Sequence, residues 1–136
     1  MPNQIFVNLP VRDLERSKDF FAAIGYAFEP SCTDDKAACL VLDDSVYVML
    51  LAEPFFSSFT TKDVADATRT AEVIVSLGVE SRERVDEVVD RAIAAGGTVS
   101  NETNDQGFLY GRSFEDLDGH LWEAFYLDVD AARECG

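Results

Sequence analysis

The sequence predicts an α+β fold made from one strand–helix–three-strand unit used twice. Three observations predict it. Apolar runs of strand length alternate with two amphipathic helical stripes, each helix opens on a capping side chain and closes on glycine, and the order of elements in the first half recurs in the second.

Ile5 to Val11 is an apolar, partly β-branched run broken only by Asn8 and Pro10, which reads as a strand. Asp13 caps the helix that follows, Glu15 favours its positive end, and Leu14, Ser17, Phe21 and Ile24 fall on one face. Gly25 ends that helix. Tyr26 to Phe28 starts a short strand closed by Pro30, and Ala37 to Leu42 and Val46 to Leu51 form a hairpin around the turn Asp43-Asp44-Ser45. The pattern then restarts. Ala71 to Leu77 is a strand, Ser81 caps a helix, and Val85, Val88, Val89, Ala92 and Ile93 trace its apolar stripe. Gly96-Gly97 stops it, Thr98-Val99 is a short strand, and Phe108 to Phe114 and Leu121 to Leu127 are joined by Glu115-Asp116-Leu117-Asp118-Gly119. Asp13 thus matches Ser81, Gly25 matches Gly96, and Asp44 matches Asp118. A chain of 136 residues then forms one domain, 1–136, with a first module at 4–53, a connection at 54–70 and a second module at 71–128.

The formal net charge of −15 sets the chain against phosphate backbones and anionic lipid surfaces, so neither nucleic acid nor membrane is expected as a partner. No stretch reaches the ~20 apolar residues of a membrane span, and the first residues do not read as a secretion signal. Cys32, Cys39 and Cys135 form an odd, scattered set without a CxxC, which fits a reducing, cytoplasmic setting and small residues with no redox task. No nucleophile-elbow, P-loop or dinucleotide motif is present.

Two segments carry a family resemblance that spans essentially the whole chain. The phrase Phe6-Val7-Asn8-Leu9-Pro10-Val11-Arg12-Asp13-Leu14-Glu15-Arg16-Ser17 resembles the opening strand and helix of the vicinal-oxygen-chelate superfamily, which contains glyoxalase I, bleomycin- and fosfomycin-resistance proteins and extradiol dioxygenases. Phe114-Glu115-Asp116-Leu117-Asp118-Gly119-His120-Leu121-Trp122-Glu123 resembles its closing hairpin. The chain is most similar to the small bacterial branch labelled glyoxalase/bleomycin-resistance or predicted lactoylglutathione lyase. The resemblance implies a curved, cup-like mixed sheet with the helices on its outer face, a small molecule held between the modules, and a homodimer. In active members a divalent metal takes one ligand from the first and last strand of each module. Carried onto this chain, those positions are Phe6, Met49, Glu72 and Glu123, so two of the four offer a carboxylate and two are apolar.

Side-chain alternation places Leu121, Glu123 and Phe125 on one face of the last strand and Trp122, Ala124 and Tyr126 on the other. With the Trp122 face under the helices, Glu123 points into the cup, as a general base or polar anchor, or as a carboxylate tied to a neighbour. Glu72 is a metal ligand or a solvated charge at a strand end, and Asn8 offers an amide on the face of Phe6. Tyr110 and Arg112 share a face and either contact a ligand or, for Arg112, pair with a surface acid. His120, the single histidine, reads as a hydrogen-bonding turn residue or, on the face opposite Glu123, as a base. In the connection, Phe55, Phe56 and Phe59 cover the core or wall a pocket. The expected function is binding of a small molecule in a cup lined by Phe6, Met49, Phe55 and Phe59 and anchored by Glu123. The alternatives are a metal-dependent lyase or isomerase of the lactoylglutathione lyase type using Glu72 and Glu123, and a non-catalytic dimeric interaction protein.

Overall fold

A computed structural model describes residues 3–130; Cys135 lies outside them. The chain divides into two compact units, Met1–Asp66 and Ala67–Gly136, so the connection is shared between them.

The first unit runs β1 (Ile5–Val11), α1 (Leu14–Ile24), β2 (Ala27–Phe28), a 3-10 turn (Pro30–Cys32), β3 (Ala37–Asp43), β4 (Val46–Ala52) and α2 (Glu53–Ser57). Its sheet has the order β1-β4-β3-β2, with β1 parallel to β4 and the other pairs antiparallel. The Asp13 carboxylate accepts from the Arg16 N–H at 3.1 Å, and Gly25 takes the left-handed φ of 115° that a side chain would resist. Between those ends, Leu14, Ser17, Phe20, Phe21 and Ile24 bury against Val48, Leu50, Ala38 and Leu40 on one face of the sheet. The five residues of α2 were not expected. Pro54 in its first turn needs no N–H partner there and pre-sets the helical φ.

The second unit runs β5 (Ile74–Gly78), α3 (Arg82–Ala94), β6 (Thr98–Val99), β7 (Asn104–Asp105), β8 (Leu109–Glu115) and β9 (Leu121–Leu127). Its sheet repeats the plan as β5-β9-β8-β6, with β5 parallel to β9 and the added two-residue β7 on β8. Ser81 caps α3 by accepting from the Arg84 N–H at 3.0 Å. Val85, Val88, Val89 and Ala92 of α3 are buried with Phe114, Trp122 and Ala124. The first strand begins three residues later than the expected Ala71 start, which leaves Glu72 outside it and exposed. Each unit is therefore a mixed, open sheet with its long helix on one face. No helix among the described residues is long and apolar enough to cross a membrane.

The turn between β8 and β9 is held by a buried carboxylate. Asp116 accepts from the Trp122 indole N–H at 2.9 Å and from the backbone N–H groups of Asp118 at 2.9 Å and His120 at 3.0 Å. Burial pushes its carboxyl above the ordinary aspartate value, against the lowering pull of His120 and of these three donors. Gly119 sits at φ 89°, and a Cβ there would lie 2.8 Å from the Ala67 carbonyl oxygen, so only glycine fits.

Candidate functional site

The face of each sheet that carries no long helix is where chemistry can reach solvent, and strand register decides which side chains stand on it. In the first unit, Asn8 lies opposite Met49, and Met49 lies opposite Cys39. Val48 and Leu50, on the alternate positions, are fully buried on the helix side. Phe6, Asn8, Tyr47, Met49 and Cys39 therefore share the open face. Phe6 is 46% exposed and stacks on Tyr47 with ring centroids 4.7 Å apart.

A cavity of about 470 Å³ opens within this unit, lined by Asn8, Leu51, Phe56, Phe59 and Thr60. Its floor is sheet and its wall is the start of the connection, because α2 turns back at Glu53 and brings its phenylalanines beside β1 and β4. Phe55 is not in the lining. It packs edge-on behind Phe59 with centroids 5.0 Å apart. Of the residues read from the sequence as ligand contacts, Asn8 and Phe59 meet at this cavity, whereas Phe6, Met49 and Phe55 lie outside its lining. Leu51, Phe56 and Thr60 join it. Phe56 was visible as one of three clustered aromatics, but its direction depends on the helical phase of α2.

In the second unit, Ser76 and Ser113 lie opposite Glu123 on its two sides. The Ser76 hydroxyl donates to the Glu123 carboxylate at 3.1 Å. Trp122 and Ala124 are buried under α3, so the expected alternation of β9 holds and Glu123 stands half-buried on the open face. Glu72 does not reach it. The residue opposite Glu123 in β5 is Ser76, and Glu72 lies four positions earlier, before the strand starts.

Tyr110 and Arg112 also move. Because Ser113 is the partner of Glu123, the flanking positions point to the helix side. There the Tyr110 hydroxyl donates to Asp86 at 2.6 Å, and Arg112 donates to Asp86 at 3.0 Å and Asp90 at 2.9 Å, all on α3. The Tyr110 hydrogen bond, with Arg112, holds the Asp86 carboxyl below its ordinary value. Arg82 lies over the Tyr110 ring at 4.8 Å and grips Asp105 through both terminal nitrogens. These two residues clamp a helix to a strand and are not open-face ligand contacts.

The donor set bears on the metal that the resemblance implies. Phe6 and Met49 offer no oxygen or imidazole, and Ser76 takes the place expected for Glu72 beside Glu123. Among the described residues no three His, Cys, Asp or Glu side chains gather into a metal-binding group. This set does not fit a resident divalent ion, which needs about three protein ligands in a catalytic zinc site. Without it, the open faces offer an apolar cavity with an amide and a hydroxyl, and one hydrogen-bonded carboxylate.

Known proteins share this architecture. A family model, the bleomycin resistance protein-like N-terminal domain, matches residues 4–42. No curated protein matches. Among solved structures, the hypothetical protein SA1046 from S. aureus is 31% identical, with 93% of this chain and 94% of that chain covered and a TM-score of 0.78. A glyoxalase/bleomycin resistance protein/dioxygenase family enzyme from Burkholderia phytofirmans is 17% identical over 93% of this chain and 99% of its own, with a TM-score of 0.75. The fosfomycin resistance protein FosX from Listeria monocytogenes is 19% identical over 93% of this chain and 91% of its own, with a TM-score of 0.65. Together with the opening and closing segments and the twice-used module, these likenesses place the chain: it belongs to the glyoxalase/bleomycin-resistance/dioxygenase, or vicinal-oxygen-chelate, superfamily.

Proposed function

We propose that the chain is a metal-independent small-molecule binding protein of the resistance type, which takes an apolar or aromatic-bearing ligand into the first-unit cavity. The observation that carries this reading is the lining itself. Leu51, Phe56 and Phe59 supply apolar wall, while Asn8 and Thr60 supply a few polar atoms that orient a guest. The volume, about 470 Å³, is of the size that accepts a drug-like molecule. Glu123 with Ser76 is a secondary polar anchor on the second unit.

A thermal-shift and calorimetric screen of aromatic compounds and of bleomycin and fosfomycin tests it. Binding is expected to be abolished by Phe56→Ser and weakened by Asn8→Ala, with both variants folded. Failure of every compound, or binding indifferent to both changes, refutes the reading. The lyase or isomerase alternative through Glu72 and Glu123 is separated by metal content after purification in defined Ni, Zn, Mn and Fe. A stoichiometric metal that Glu123→Gln removes, with turnover of hemithioacetals, would establish that alternative. Sedimentation tests the accompanying proposal of a homodimer, which a monomeric mass overturns.

A further inference from the structure

Two of the cysteines have a position that the binding function does not use. Cys39 stands on the open face of β3, opposite Met49, yet is only 1% exposed. The 3-10 turn Pro30–Cys32 folds back onto β3 beside it, and Cys32 in that turn is exposed. Glu29 ties the two together. Its N–H donates to the Cys39 carbonyl at 2.9 Å, while its own carbonyl accepts from the Cys32 N–H at 3.3 Å and the Cys32 thiol at 3.8 Å. Thr33 closes the ring by donating to the same Glu29 carbonyl at 2.7 Å and accepting from the Cys39 N–H at 3.0 Å. Both thiols are free.

The geometry points to Cys32 and Cys39 as an oxidisable pair that a peroxide converts into an intramolecular disulfide, pinning the 3-10 turn to β3. The side chains already interact. Burial, then a hydrogen bond to Cys32, then the Cys32 and Glu29 charges, push the Cys39 thiol up to about 12. The division of labour follows from exposure. Peroxide delivers one oxygen to the accessible Cys32 sulfur, giving a sulfenic acid and water. The Cys39 sulfur then attacks that sulfur and displaces hydroxide, which leaves as a second water with the Cys39 proton. One S–S bond forms, the two thiols give up two electrons, and the peroxide takes them. Because Cys39 holds its proton at neutral pH, this second step is slow and quickens as pH rises.

The test uses the full chain carrying Cys135→Ser, so that any disulfide is the pair in question. After treatment with a slight excess of hydrogen peroxide, the intact mass is expected to fall by about 2 Da, the two hydrogens lost, and to return on reduction with dithiothreitol. Lys36 lies between the two cysteines, so tryptic cleavage there yields two peptides joined only through sulfur. Adding Cys39→Ser is expected to convert the product into a gain of about 16 or 32 Da at Cys32. The proposal is overturned if the parent gains oxygen at Cys32 while Cys39 stays alkylatable on unfolding. Chains cross-linked to one another in place of the internal bridge overturn it too.

Discussion

Replacing Asp116 by alanine removes the shared acceptor of three N–H groups, at 2.9, 2.9 and 3.0 Å, in a turn whose residues are almost fully buried. Hydrogen bonds to a charged group contribute about 1.5–3 kcal/mol each, and they are not additive within one network. The carboxylate also bears a burial cost, which its raised pKa records. The net loss is then about 3–5 kcal/mol, a large share of the roughly 5–15 kcal/mol that holds a domain together. With a urea slope of about 1.5 kcal/mol/M, the unfolding midpoint falls by about 2–3 M. Trp122 is the only tryptophan and a direct partner of Asp116, so its fluorescence reports both the transition and the loss of the contact. Asp116→Asn recovers only part of the deficit, because one amide oxygen replaces two carboxylate oxygens and the NH2 meets the indole N–H donor to donor. The pH dependence has a fixed sign. A carboxyl whose folded pKa is raised binds its proton more tightly in the native state, so its relative stabilisation is present at low pH and is lost as pH rises through the folded value. The gap between parent and Asp116→Ala should therefore narrow as pH rises above the ordinary aspartate value. A gap under about 1 kcal/mol with unchanged Trp122 emission refutes the reasoning.

Asp105 is held down to about 2 by the two-pronged Arg82 hydrogen bond, so its NMR titration midpoint should lie there and move up toward about 4 in Arg82→Gln. That pairing stabilises the fold above the unfolded carboxylate range and is lost as pH falls toward the folded value. Gly119→Ala should cost about 2–4 kcal/mol in thermal unfolding, since a left-handed φ is joined to a 2.8 Å backbone clash. Gly107→Ala, with φ 81° and nothing within 4 Å, should cost only about 1–2 kcal/mol. Arg112→Met should lower stability by releasing Asp86 and Asp90 while leaving first-unit ligand affinity within twofold; a large loss of affinity would return Arg112 to the binding surface.

Much of this fold is written in local signals. Asp13 and Ser81 announce helix starts by the same chemistry they perform, and Gly25 announces an end. In the run from Leu121 to Leu127, period-two geometry sets Trp122 and Glu123 on opposite faces, and the packing of Trp122 under α3 settles which face is open. The face of Tyr110 and Arg112 could not. Their own strand shows that they lie together, but which way they point is set by the pairing of Ser113 with Glu123, a non-local fact. Glu72 failed for a related reason: Ala71 and Val73 extend the apolar run backwards past Glu72, but the ladder to β9 begins only at Ile74. Asp116 looks like any turn aspartate, and only the indole six residues on makes it a buried acceptor. Which of Phe55 and Phe56 faces the cavity was hidden, because the five-residue α2 is too short for its periodicity to register.

In both sheets the last strand of the module is an inner one. β4 lies between β1 and β3, and β9 lies between β5 and β8. A chain leaving the ribosome therefore exposes each module's first strand and helix long before the strand that joins them to the hairpin exists. The first sheet stays open until about residue 52 has emerged, and the second until about residue 127. A nascent chain halted before Val46–Ala52 is complete leaves β1 without β4 beside it, and one halted before Leu121–Leu127 is complete leaves β5 without β9, so each arrested product presents an unpaired strand edge open to aggregation.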